Sequence, residues 1–289
     1  MAGTEDTVLH DLLGEIETIR FKRQEQIRKK TPDEQLKRFT QQELNDEVCP
    51  TYKNLLIGRS RRVPSREMVL RIADYLECIA AERNNLLLAG RYLPEALELE
   101  GPQLEQSLEQ AQKLMETLSY PAMILTHRLE VYEVNEAFLH IFQIPAINAL
   151  PVSERHLFHF LFHTDFPTRI RSTFDTQALK VWQTQALRGI QLFQQSNVLY
   201  QFEPWYQDVI EHFSRLADFR VFWEQASSYC DLNDGPSKLY LSKNAETGEP
   251  TVIQVRHIHI SVNSHRYPGI AAFYPVDEAA RSVFASLNQ

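Results

Sequence analysis

Between Val8 and about Lys30, Leu9, Leu12, Leu13, Ile16, Ile19, Phe21 and Ile27 recur at close to helical spacing, with charged residues between them. A stripe of this kind predicts one long amphipathic helix. Thr31-Pro32-Asp33-Glu34 then puts a hydroxyl before a proline with a carboxylate three residues on, the pattern of a helix restart. The same grammar returns at Thr40-Gln41-Gln42-Glu43, where hydroxyl and carboxylate can satisfy each other's unpaired amides. Leu44 and Val48 supply a buried face, and Pro50-Thr51 breaks the helix. Thr51 is placed to cap the next helix, Tyr52 to Ile57, which Gly58 ends.

Beyond Leu93-Pro94 the chain turns acidic and carries breakers up to Gly101-Pro102, so a domain boundary is expected near residue 98, giving domains 1–98 and 99–289. Leu104, Leu108, Ala111, Met115 and Leu118 follow at steps of four and three. Such a seam either packs on its own domain or forms a dimer contact. Tyr120–Leu125 and Leu129–Val134 are short apolar runs around Thr126-His127-Arg128 and predict a hairpin. A helix over Asn135–Phe142 follows, and residues 153–228 have helical periodicity. Strands return at Lys238–Ser242, Val252–Val262 and Ile270–Tyr274, with turn signals at Glu246-Thr247-Gly248 and Tyr267-Pro268-Gly269, before a last helix over Asp277–Leu287. The expected plan is an all-α domain followed by an α+β domain whose antiparallel sheet carries helices on one face.

Composition changes this picture only through its distribution. The chain of 289 residues has a net charge of -8, which argues against a polyanionic partner until it is divided along the sequence. Residues 20–71 hold 14 Lys and Arg against 7 Asp and Glu, so a basic segment precedes an acidic remainder. Three dispersed cysteines, Cys49, Cys78 and Cys230, suit neither a disulfide framework nor a thiolate metal site. With no apolar run near ~20 residues and no basic-then-apolar leader, a cytoplasmic protein free of the membrane is expected.

The basic segment, a series of short helices, has the form in which one helix is offered to a DNA groove and cations hold the phosphates. Tyr52, Lys53 and Asn54 occupy the first turn of the third helix and are the base-reading candidates, since Asn pairs with adenine and Lys reaches guanine acceptors. Arg59, Arg61 and Arg62 suit phosphates. A solvated cationic face without DNA is the alternative. T-Q-Q-E-L from Thr40, G-R-x-R-R-x-P-S from Gly58, V-L-R-I-A-D-Y-L from Val69 and E-R-x-x-L-L-L-A-G from Glu82 resemble the Cro/repressor (xenobiotic response element) type of helix-turn-helix. That resemblance implies double-stranded DNA as partner, adds Thr40, Gln41 and Thr51 to the contact set, and implies a homodimer on paired half-sites. Two departures are visible: the stretch from Leu44 to Gly58 is shorter than the family pattern, and Cys49-Pro50 stands where a glycine turn is usual.

In the second domain, YPAMILTHRLEVYEVNEAFLHIF, RHLFHFLFHTDFPTRI, LADFRVFWEQ and YPGIAAFYPVDEAA resemble, in this order, the signatures of the MmyB-like ligand-binding domain, whose fold is similar to a PAS sensor. The resemblance implies a transcriptional regulator holding a small apolar, fatty-acid-like ligand. Phe138, Phe142, Leu157, Leu161, Trp182 and Phe193 are the candidate lining; aromatic residues at such spacing are otherwise core. A protein-interaction adaptor and a redox or haem sensor are the rival readings. His156, His159 and His163 step along one helix face at zinc-compatible spacing but sit among Phe158, Phe160 and Phe162, so structural histidines are expected. No G-x-S-x-G, glycine-rich phosphate loop or Cys-His pattern occurs; neither enzymatic activity nor a metal or other cofactor beyond that ligand is expected.

Overall fold

The computed structural model describes residues 2–28, 37–226, 237–243 and 247–288. The helix restart expected at Thr31–Glu34, Cys230, and Glu246 of the expected turn lie outside the described residues. The chain divides into two compact units, one of residues 1–97 with 199–207, the other of residues 98–198 and 208–289. A linear split near residue 98 does not anticipate that residues 199–207 join the first unit.

The first unit is helical. Helix α1 (Ala2–Arg28) buries Leu9, Leu12, Ile16 and Ile19, the three-four stripe. Phe21 falls off that stripe and is 56% exposed, while Arg20 and Arg23 on the inward side are buried. Helix α2 (Gln41–Glu43) runs into a π-helical turn, Leu44–Val48, whose wider winding closes with Cys49 N–H donating to Leu44 O at 2.9 Å. Both arms of the capping box form: Glu43 N donates to Thr40 Oγ1 at 3.1 Å, and Thr40 N to a Glu43 carboxylate oxygen at 3.0 Å. Helix α3 (Tyr52–Leu56) starts after Thr51, whose side chain makes no capping bond, contrary to expectation. It stops before Gly58, whose φ of +73° a residue with a Cβ would hold only under strain. Helices α4 (Arg66–Tyr75) and α5 (Ala80–Ala89) close the core with Val69, Ile72, Ala73, Leu86 and Leu87.

The second unit is built on a five-stranded antiparallel sheet of order β2-β1-β5-β4-β3, with β1 Ala122–Leu125, β2 Val131–Val134, β3 Lys238–Lys243, β4 Pro250–Ser261 and β5 Gly269–Pro275. Helix α6 (Gly101–Met115) precedes the sheet. Helices α7 (Glu136–Phe142), α8 (Leu157–Phe162), α9 (Pro167–Ser172), α10 (Thr176–Ser196), α11 (Pro204–Phe213) and α12 (Ala217–Ala226) lie between β2 and β3 in sequence, and α13 (Glu278–Ala285) ends the chain. No described helix is long and apolar enough to cross a membrane.

Helices cover both faces of the sheet, not one. The apolar seam of α6 is a full stripe that must be buried, and Leu108, Ala111 and Met115 bury it against Ala122, Ile124, Ile270 and Ala272. Because side chains alternate along a strand, Phe273 of β5 points to the opposite face, where it meets Phe138 and Phe142 of α7 at 5.6 and 5.4 Å between ring centres. The seam is thus occupied within its own unit. Met115, 2% exposed in this contact, anchors it, and Met115→Ala is expected to lower unfolding stability by about 2 to 5 kcal/mol in urea titration. A surface seam would give a change under about 0.5 kcal/mol.

Candidate functional site

In the first unit the structure separates the proposed DNA-contact residues into two groups. Tyr52 is fully buried, and its hydroxyl donates to Glu17 at 2.7 Å. It therefore cannot read bases, a correction with a geometric cause: at the first position of α3 it points back at α1, on the side shared with Leu55. Thr40 is engaged in the capping box. Gln41 is exposed but donates to Glu17 at 2.9 Å. Thr51, Lys53, Asn54, Arg59, Arg61 and Arg62 are exposed. Lys53 Nζ bonds Gln42 Oε1, and Arg61 lies 3.6 Å from Asp6 with both side chains open to solvent. Among the described residues Arg59 and Arg62 make no ion pair.

Not all of the basic segment is available for a partner. Arg20 donates to Glu17 and to Phe39 O, and Arg23 donates to Leu76 O, Glu77 O and Glu82. These two buried cations hold helix ends and loops together. Glu17 is the centre of the arrangement. Burial alone would raise its pKa, but the bonds from Arg20, Tyr52 and Gln41 outweigh burial and hold it below its ordinary value of 4.5. The same burial and the Glu17 bond raise the Tyr52 hydroxyl, which stays protonated as the donor. Nothing in the sequence pattern identifies Glu17, because a hub of this kind spans residues 17 to 52 and leaves no local spacing signal.

In the second unit a cavity of about 480 Å³ lies between the sheet and the helices. Helix α10 presents Gln185, Arg188, Gly189, Leu192 and Phe193 to it, positions spaced three and one apart that fall on one helical face. Helix α8 divides its apolar residues: Leu157 and Leu161 line the cavity, while Phe158 and Phe162 turn into an aromatic core with Phe219. Leu125 and Leu129 complete the apolar wall.

Three of the six candidate lining residues are therefore brought together, Leu157, Leu161 and Phe193. The other three fill the core. Phe138 and Phe142 are each 1% exposed, clasped on Phe273 and, for Phe142, Tyr240 at 4.8 Å, so neither has surface left for a ligand. Trp182 lies a turn earlier on α10, stacked under Arg169 and packed on Phe162 and Phe222.

The histidine row also has a definite structural role. His156 accepts the Phe158 amide at 3.0 Å and caps α8, and burial depresses its pKa to about 3, so it is neutral there. His159 stacks on His163 at 4.7 Å.

At the polar end of the cavity the sequence puts His257 and His259 on one side of a strand but gives no signal for Lys238 or Arg188. Strand β4 turns His257 and His259 inward, while Ile258 packs on the α6 layer; Arg256 and Ile258 also border the cavity. Lys238, paired with Val255 across β3 and β4, lies on the inward side with its ammonium 5.5 Å from the Phe273 ring. His257 lines the cavity with its ring 5.6 Å from that of Phe273 and keeps accessible surface. Burial, with the nearby Lys238, His259 and Arg188, depresses its pKa to about 3. Burial and the Arg188 charge likewise bring Lys238 down to about 8. None of the described lining residues is Asp or Glu. Gly269 is required beside His259: a Cβ there would sit 2.2 Å from His259 Nε2 and 2.8 Å from Arg266 O.

Tyr52→Phe is expected to destabilise the first unit by about 1.5 to 3 kcal/mol, the range for a hydrogen bond to a charged group, measured by chemical denaturation. The Glu17 contribution is complete above pH ~4.5, the ordinary value, and is lost as pH falls through the lower folded value. The wild-type advantage over Tyr52→Phe should accordingly shrink in acid. A gap that persists unchanged at pH 3 would rule out the Glu17 partnership.

No curated protein matched the chain. Residues 109–233 match the family model of the MmyB-like transcription regulator ligand binding domain, so the stretch that contributes α7 to α12 and the helical wall of the cavity is similar to the sensor portion of transcription regulators.

Proposed function

We propose that the protein is a DNA-binding transcriptional regulator, acting as a cytoplasmic homodimer without enzymatic activity, whose operator affinity responds to a small apolar, fatty-acid-like ligand in the second unit. The observation that carries this reading is the cavity of about 480 Å³, whose helical wall belongs to a stretch similar to a regulator's ligand-binding domain. Its size suits small-molecule sites, which are concave and mainly apolar with a few placed polar groups. The antiparallel sheet of order β2-β1-β5-β4-β3 supports a PAS-like reading of that domain.

For the first unit, the turn between the π-helical end of α2 and α3 supports a helix-turn-helix. Lys53 and Asn54, exposed on the opening turn of α3, are the base-reading pair, with Thr51 beside them. Arg59, Arg61 and Arg62 serve phosphates, giving affinity and register without sequence information. A coupling of about 1 to 3 kcal/mol between ligand and DNA would change operator affinity roughly 5- to 150-fold.

The test is fluorescence anisotropy of the full-length protein on promoter fragments at several salt concentrations, with and without a long-chain fatty acid. Arg59→Ala, Arg61→Ala and Arg62→Ala should each weaken all sequences alike and reduce the salt slope by about one. Asn54→Ala should instead relax preference at one base position, at a cost of about 1 to 3 kcal/mol for the preferred sequence. Salt-independent binding, or no complex at low salt, would refute the DNA reading. Operator affinity indifferent to the fatty acid would refute the coupling.

A further inference from the structure

We propose that the cavity selects an anionic amphiphile, whose carboxylate or phosphate head seats on Lys238 Nζ between Arg188 and His257 while its chain runs along Leu157, Leu161, Leu192 and Phe193. This rests on reading the cavity as a ligand site, and it turns an apolar pocket into one with a defined polar end and a defined specificity residue.

Three basic side chains from three elements converge there, Lys238 from β3, Arg188 from α10 and His257 from β4. Among the described residues the Lys238 ammonium has no hydrogen-bond acceptor and no carboxylate; its recorded contact is the face of Phe273. A ring face compensates an enclosed ammonium only in part. An enclosed charge without a counter-ion is costly, and proteins relieve the cost by pairing it or by shedding the proton. The opposite wall, from α8, contributes Leu157 and Leu161, which offer no charge of either sign. Arg266 stands at the other end, beside His259 and Tyr267, and donates to Ser196 Oγ at 3.3 Å. Hence, among the described residues, the Lys238 end of the cavity combines an ammonium that has no carboxylate partner with an apolar lane leading from it.

A bound anion would supply the absent acceptor and hold Lys238 charged, so binding draws in a proton wherever the empty cavity has lost one. With Lys238 brought down to about 8, binding of a carboxylate should be pH-independent from about pH 6 up to that value and should weaken above it. One pH unit past the midpoint the weakening is roughly tenfold. His257, depressed to about 3, remains neutral over this range.

Titration calorimetry on the full-length protein tests this, with saturated eight-, twelve- and sixteen-carbon chains each presented as carboxylic acid, alkyl phosphate and primary alcohol. The acid or the phosphate should bind at least ~10-fold more tightly than the alcohol of the same length, the order of one charge-assisted contact. Whichever head is preferred identifies the source. Lys238→Met should bring the favoured anion down to the level of the alcohol of the same length, with an unchanged circular dichroism spectrum and melting temperature showing that the variant is folded. Lys238→Arg should keep the discrimination and abolish the fall in acid affinity between pH 7 and pH 9. An alcohol that binds as tightly as its acid and phosphate, or Lys238→Met that still discriminates, overturns the inference and leaves the ligand site standing. If no chain of any length or head group binds, the ligand site falls with it.

Discussion

The alternation of side chains along β4 and β5 is the constraint on which the second unit depends. A strand can serve two environments only by sending successive residues to opposite faces. On one face Ile258, Ile260, Ile270 and Ala272 meet α6 in a dry apolar layer. On the other, Phe273 carries the aromatic core while His257 and His259 reach the cavity. A slip of one residue between these strands would put imidazoles against α6 and isoleucines at the polar end. The apolar layer is what fixes the register, and the register is what aims the cavity's basic groups. Gly269 belongs to the same logic, since β5 passes His259 too closely for any Cβ.

The first unit is organised by a polar hub rather than by its apolar stripe alone. Glu17 on α1 collects Arg20, Tyr52 and Gln41, so the start of α2 and the start of α3 are tied to one carboxylate. A helix of five residues is too short to hold itself in water, and α3 (Tyr52–Leu56) is held by its burial of Tyr52 and Leu55 and by this bond. The consequence is a division of labour on adjacent residues: Tyr52 positions the helix from below, and Lys53 and Asn54 are left outward. Arg20 and Arg23 show the same economy. Their charge adds to the basic character of the segment, but their guanidinium groups are used internally.

What the sequence reveals and what it hides follow from the range of each interaction. Helix starts at Thr40 and Asn135, the stop at Gly58, the α6 seam and the three late strands are legible because their signals lie within a few residues of the feature. Leu157, Leu161 and Phe193 are also legible as a group, since helical spacing places each on an inward side. Spacing does not say which inward side. Phe138, Phe142 and Trp182 share the same pattern and differ only in what stands opposite them, Phe273 and Tyr240 for the first two, Phe162 and Phe222 for the last. Tyr52 is hidden for the same reason, its partner being 35 residues away. Lys238 and Arg188 are hidden because a basic residue in a strand or helix ordinarily points to water, and only the fold turns these two toward a common space.

Protein interiors are close-packed, and an apolar gap lined by leucines tends to be filled by their own adjustment. A space of about 480 Å³ therefore needs something that resists collapse. Its apolar wall cannot supply that, because Leu157, Leu161 and Leu192 are flexible and gain contacts by moving inward. Lys238 and Arg188 can: drawing them together brings like charges closer and strips the remaining solvent from them, and both changes raise the energy. The depression of Lys238 to about 8 is the mark of that opposition. The basic cluster thus costs the empty fold some stability and in return keeps the cavity open, a trade in which a site is held ready at the expense of the folded state that carries it.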